Sequence, residues 1–155
     1  QISELGSTNL DGAQYTEGPW NHYVVSADRD GNLVHYINGV ADATHAISDT
    51  TDFDNTGNLV IGARIASGSG AWAGFMKDVA IFNVALDADA VAAIYNSGKP
   101  FDLNYNRGNY DNASGLVGYW KMNDGSGTTV VDSSTNSNNG TLTADAAFST
   151  DTPDD

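Results

Sequence analysis

An all-β fold of antiparallel strands with one short helix is predicted by three features of the 155-residue chain. Residues 20–40, WNHYVVSADRDGNLVHYINGV, read as two strands around a tight turn. The other apolar runs are short and are separated by clusters of Gly, Asp, Asn and Ser. A single stretch near Asp87 carries helical spacing between a start and a stop signal.

In residues 20–40, Trp20, His22 and Val24 alternate with Asn21, Tyr23 and Val25, which is the period of a half-buried strand. Asp28-Arg29-Asp30-Gly31-Asn32 supplies turn chemistry, and Leu33 to Ile37 is rich in β-branched and aromatic residues. Residues 1–19 hold few apolar positions, with Ile2 and Leu5 as the end of a short strand. After the hairpin, residues 41–57 are mostly polar and read as a long loop carrying Asp49, Asp52, Asp54 and Asn55. Leu59-Val60-Ile61-Gly62 then reads as a short buried strand.

Residues 66–74, ASGSGAWAG, form a glycine-serine loop with Trp72 at its tip or exit. Trp72 is either a packed core aromatic or a platform on which a sugar ring stacks. Residues 74–82 read as a strand apolar on both parities, with Phe75, Val79 and Ile81 against Met76, Ala80 and Phe82, and so belong inside a sandwich. A helix follows over 87–96: Asp87 caps it, Leu86 staples onto Val91, and Gly98 and Pro100 stop it. Residues 101–114 are Asn-, Gly- and Asp-rich without a period and read as a linker, with Tyr105 and Tyr110 interleaved. Residues 115–123, GLVGYWKMN, start a new strand, and a second forms around Val130-Val131.

Composition narrows the function. The net charge is −14, from 20 acidic and 6 basic residues, and among the acids only Glu4 and Glu17 are Glu. Nucleic acid and anionic membrane would be repelled, so neither is an expected partner. No apolar run approaches the roughly 20 residues that span a bilayer. There is no cysteine, so no disulfide framework is available. The chain starts at Gln1 without an initiator Met, which is expected of a processed product, an excised domain or part of a longer polypeptide.

The motifs W-x-H-x-V-V (20–25) and L-x-x-Y-I-N-G (33–39) resemble the centre of the laminin-G-like, concanavalin A-like jelly-roll family. ALDADAVAAIYNSG (85–98) resembles the family's closing segment, and GLVGYWKMNDGSGTTVVDSSTNSNNGTL (115–142) resembles its opening one. The resemblance implies an antiparallel jelly-roll β-sandwich. Here the opening follows the closing. Residues 1–100 are then the C-terminal portion of a sandwich, 101–114 a linker and 115–155 opening strands. Those strands belong to a permuted form of the same domain or to the next tandem copy. One central family strand has no match in residues 1–19, so either the chain completes itself or residues 115–142 complete a neighbouring copy.

The fold family includes glycoside hydrolases, whose retaining members need two carboxyls about 5–5.5 Å apart. No such pair is visible, since residues 74–82 offer only Asp78 and neither Glu sits in an alternating acidic strand. No catalytic residue is assigned. His22, His35 and His45 show no metal-ligand spacing, and His22 resembles a structural histidine of the family. Asp28, Asp30 and Asn32 have the first spacings of a calcium loop but lack its Gly and closing Glu, so a hairpin turn is the expectation. The resemblance implies a structural calcium in the opening segment, which places Asp124, Asp132 and Asn136 as candidate ligands. The family's partner carboxylate is replaced by Lys77, with Asp78 one position on. Asn112-Ala113-Ser114 and Asn139-Gly140-Thr141 match the glycosylation sequon.

The expectation is a non-catalytic extracellular or cell-surface recognition module. It would bind glycans or a surface protein, with Trp72, Tyr105 and Tyr110 as stacking candidates and calcium as a structural ion. The alternative is a structural repeat of a filament, fibre or virion surface that binds further copies of itself. A fragment of a glycoside hydrolase is a third reading.

Overall fold

The computed structural model describes residues 20–47, 57–63 and 71–150. The expected strand at Ile2 and Leu5, the acidic stretch 49–55 and both glutamates lie outside them. The described residues form two compact units, one from 20–47 and 84–115, the other from 57–63, 71–83 and 116–150.

The first unit holds strands β1 (Tyr23–Ala27), β2 (Asn32–Ile37) and β3 (Val40–Ala46), and the helix α1 (Ala88–Tyr95). The strands form an antiparallel sheet with β2 in the middle. The β1–β2 turn is the one expected: Asp28 N donates to Asn32 O, Gly31 N to Asp28 O, and Asp30 N to the Asp28 side chain. Asp28, Asp30 and Asn32 therefore make a turn closed on itself. β2 and β3 are joined through Asn38 and Gly39 at φ 50° and 79°, the double left-handed pair of a type I′ hairpin. β3 corrects the sequence reading, which made residues 41–57 a loop. Its Val-Ala-Asp-Ala-Thr-His-Ala run is too polar to read as a strand alone, and it is held by its ladder to β2. One extra residue, Asp42, bulges from β3 where the pairing steps from His35–Ala43 to Tyr36–Ala41.

Helix α1 forms where expected. Asp87 accepts from Ala90 N at 2.8 Å, Asn96 closes the other end at φ 44°, and Leu86 and Val91 are buried. The Tyr95 ring stacks on His22 at 5.8 Å and lies so close to Gly39 that a Cβ there would meet it at 2.9 Å. The buried hydroxyl of Ser26 donates to Leu86 O at 2.7 Å. Asp87→Ala removes the cap and is expected to cost about 1 kcal/mol, measured by the urea midpoint. A loss below about 0.3 kcal/mol would mean that the cap adds nothing.

The expected linker 101–114 is ordered and packed, which corrects the sequence reading. Arg107 and Tyr110 exchange backbone hydrogen bonds, Leu103 and Tyr110 are buried, and Phe101 meets Tyr110 edge-on with the Arg107 guanidinium 5.1 Å from its ring. No sequence period marks these contacts because they come from turns rather than from a regular element.

The second unit contains β4 (Val79–Phe82) paired antiparallel with β5 (Leu116–Trp120), and β6 (Thr129–Val130) paired with β7 (Gly140–Thr141). The strand resembling the family's opening pairs with the one before its closing helix inside the same chain. Only the second half of the predicted strand 74–82 forms. Asp78 takes φ 54°, a left-handed step that a ladder cannot pass through, and Phe75 and Met76 before it are exposed. Residues 59–62 likewise form no strand.

Candidate functional site

Among the three stacking candidates, Trp72 lies in the second unit and the two tyrosines in the first. Trp72 is 44% exposed. Its loop is fixed by Trp72 N donating to Gly62 O at 2.7 Å. The indole folds over Gly74, where a Cβ would stand 2.9 Å from Nε1, and the Met76 sulfur would be 3.5 Å from a Cβ on Gly62. Glycine at both places lets the two segments 59–62 and 72–76 approach. With Trp72 they expose Leu59, Ile61, Phe75 and Met76. Lys77 and Asp78 follow directly, and Asp78 accepts from the Tyr119 hydroxyl at 2.9 Å. An exposed aromatic face can take a ligand with one apolar face.

Tyr105 is 71% exposed on a turn held by its N donating to Asp102 O. Tyr110 is 0% exposed, which corrects its place among the stacking candidates. Its hydroxyl donates to Leu103 O at 2.7 Å, and burial, aided by the Asp102 charge, pushes its pKa up to about 12. No ring face is open to a sugar, and Tyr110 anchors the 101–115 segment.

Asp124, Asp132 and Asn136 all belong to the second unit but do not fit a calcium cage. Asp132 is 4% exposed. Its Oδ1 accepts from Tyr119 N at 2.8 Å and Ser134 N at 2.9 Å, and its Oδ2 from Ser134 Oγ at 2.9 Å and Asn138 N at 2.8 Å. All four lone-pair positions are taken, so a cation would have to displace a donor. Burial alone raises the carboxyl pKa, but these hydrogen bonds outweigh it and hold Asp132 below the ordinary range. Asp124 accepts from Val131 N, and Asn136 donates its amide to Val117 O. Among the described residues no three His, Cys, Asp or Glu side chains gather to hold a metal. The trio ties down the loop after β5. The clue was the run Asp132-Ser133-Ser134, a side-chain acceptor two residues before a donor, typical of an Asx turn.

Of the histidines, His22 is partly buried and stacks on Tyr95, and desolvation lowers its pKa. Catalysis finds no pair of carboxylates in β4, where Asp78 just before the strand is bonded to Tyr119.

Among the described residues the elements are antiparallel strands and one capped α-helix, with Trp72 half-exposed. The family profile described as the concanavalin A-like lectin/glucanases superfamily matches residues 3–92, and the chain belongs to this superfamily. Its fold is accordingly the all-β jelly roll that the motifs implied. Among solved structures, a proposed carbohydrate-binding protein from Bacteroides ovatus is similar at TM-score 0.64 and 21% identity, over 93% of this chain and 42% of that one. An S-layer domain-containing protein from Clostridium thermocellum is similar at TM-score 0.38 and 24% identity, over 54% of this chain and 42% of that one. The chain thus spans less than half the length of each, and the first likeness bears on the fold. No curated protein matches the chain. No helix among the described residues is long and apolar enough to cross a membrane.

Proposed function

We propose that the chain is a non-catalytic recognition module of an extracellular or cell-surface protein, and that it binds a glycan by stacking a sugar ring on Trp72. The observation that carries this reading is the indole itself. A large aromatic held rigidly by a backbone bond and two glycines, yet nearly half exposed, has not been spent on the core. A pyranose offers an apolar C–H face to such a ring and keeps its hydroxyls for polar groups at the rim. The superfamily match and the carbohydrate-binding description of the similar Bacteroides protein support the same class of ligand. Tyr105 is a further exposed aromatic in the first unit.

A glycan array probed with the wild-type chain and with Trp72→Ala tests the reading. Saturable binding to a saccharide class is expected, weakened at least about tenfold by the substitution, the loss of a hot-spot tryptophan being worth about 2 kcal/mol. Equal binding by Trp72→Ala would remove the platform, and an array without any bound saccharide would remove glycan recognition. The alternative, a structural repeat whose copies pair edge to edge, is supported by the outer edges of β1 and β3, which pair with no strand among the described residues. Light scattering across a dilution series separates the two, because a constant monomer mass excludes assembly.

A further inference from the structure

Strands β2 and β3 bring together two histidines whose separation in sequence gives no sign of a site. The register sets Leu33 opposite His45 and His35 opposite Ala43, so His35 and His45 are diagonal neighbours on one face of the sheet. Their rings meet edge to face, with centroids 5.8 Å apart and planes at 71°. The Nε2 atom of each is buried and has no hydrogen-bond partner. His35 as a whole is only 4% exposed. Buried polar atoms are nearly always paired; His22 Nδ1 is also without a partner but belongs to the other face of the sheet, whereas the His35 and His45 orphans adjoin on one face and call for a shared explanation.

Tyr23 adds a third group on the same face. Val25 pairs with His35, and the Tyr23 hydroxyl reaches forward along β1 to within 3.4 Å of His35 Nδ1. An orphaned N–H is costlier in an interior than an orphaned lone pair, so the favoured tautomer puts the proton on Nδ1, donating to the Tyr23 oxygen. Nε2 then carries a free in-plane lone pair. That is the arrangement of a metal-ligating imidazole, whose second nitrogen is fixed by an outer hydrogen bond.

We infer that His35 and His45 form a two-imidazole site for a divalent cation of the zinc class, bound through their Nε2 atoms, with water completing the coordination shell. Two imidazoles sharing a tetrahedral zinc at about 2.0–2.1 Å bring their ring centroids to about 5 Å, near the observed 5.8 Å, and from the edge-to-face arrangement the His45 ring must turn for both Nε2 lone pairs to meet one cation. His45 is only partly buried on the edge strand β3, which gives the cation an approach and the ring room to turn. Burial and the neighbouring His45 lower the His35 pKa while the Asp42 charge opposes them. Asp42, the bulged residue of β3, also lends a negative charge near the cation. With two protein ligands the site is weaker than a closed structural zinc centre. Its selectivity is nonetheless clear, because calcium and magnesium prefer the oxygen ligands of the Asp-rich surface and imidazole nitrogen prefers zinc, nickel or copper.

The test is isothermal titration of zinc chloride into the full chain at pH 7.5 with calcium chloride in excess, beside His45→Gln. One zinc per chain is expected in the wild type, with affinity lowered at least about tenfold in His45→Gln. Near-UV circular dichroism establishes that the variant keeps its fold. Long-range 15N spectra of the wild type should show zinc shifting Nε2 of His35 and His45 and leaving His22 in place. Absence of saturable zinc binding, unchanged affinity in folded His45→Gln, or a shift confined to His22 would each overturn the site.

Discussion

Replacing Asp132 by alanine is expected to lower the unfolding free energy by about 3–4 kcal/mol, among the largest effects any single substitution should have here. The carboxylate accepts from Asn138 N and from Ser134 N and Oγ, and it also takes Tyr119 N from β5. Each buried donor left unpaired costs about 1–3 kcal/mol, and water entering the collapsed loop recovers part of the sum. Asp132→Asn should cost less, about 2 kcal/mol, because the remaining oxygen serves two N–H groups while the new amide faces the other donors. Urea midpoints at constant slope measure both, and a loss below about 1 kcal/mol for alanine would contradict the anchoring role. Acid gives an independent readout. The folded pKa is depressed, so the stabilisation is complete above the unfolded carboxyl pKa of about 3.9 and drains away as pH falls through the lower folded value. In Asp132→Asn that portion of the acid transition should be missing.

Gly118→Ala should cost about 2–3 kcal/mol for the addition of one methyl group. The Trp120 ring lies back over Gly118, and a Cβ there would stand 2.4 Å from one ring carbon and 2.8 Å from another. The ring cannot swing away freely, since it is buried and its Nε1 donates to Asn138 O at 3.0 Å. Either the β4–β5 ladder moves or that hydrogen bond breaks. Trp120→Leu makes room, so Gly118→Ala in that background should cost at least about 1 kcal/mol less than in the wild type. Additive costs would show that the close approach of ring and backbone is not what requires glycine. Because Asn138 is also held by Asp132, the two predictions meet in one loop.

The elements legible in the sequence were those whose local chemistry agrees with their tertiary setting. The β1–β2 hairpin has alternation and an Asp-Gly turn, and α1 has its own cap and stop. β3 was missed because its residues are small and polar, though Asn38-Gly39 between two apolar runs was the signal for it. The strand predicted for 74–82 was half formed because nothing in the residue types announces the left-handed turn at Asp78. At the site, Trp72 could be named from sequence, but its exposure depends on which side of the glycine loop it falls. Tyr110 could not be separated from Tyr105, since only the hydrogen bond to Leu103 O distinguishes a buried ring from an exposed one. The His35–His45 pair depends on strand register, which sequence does not reveal for an unpredicted strand.

The chain has three tryptophans, and their indole N–H signals in a 1H–15N spectrum offer the most direct test of glycan stacking. Titrated with a saccharide that the array identifies, the Trp72 signal should shift in a saturable way. The Trp120 signal, locked to Asn138 O, should stay fixed. Saturable binding that leaves the Trp72 indole unmoved would contradict the account.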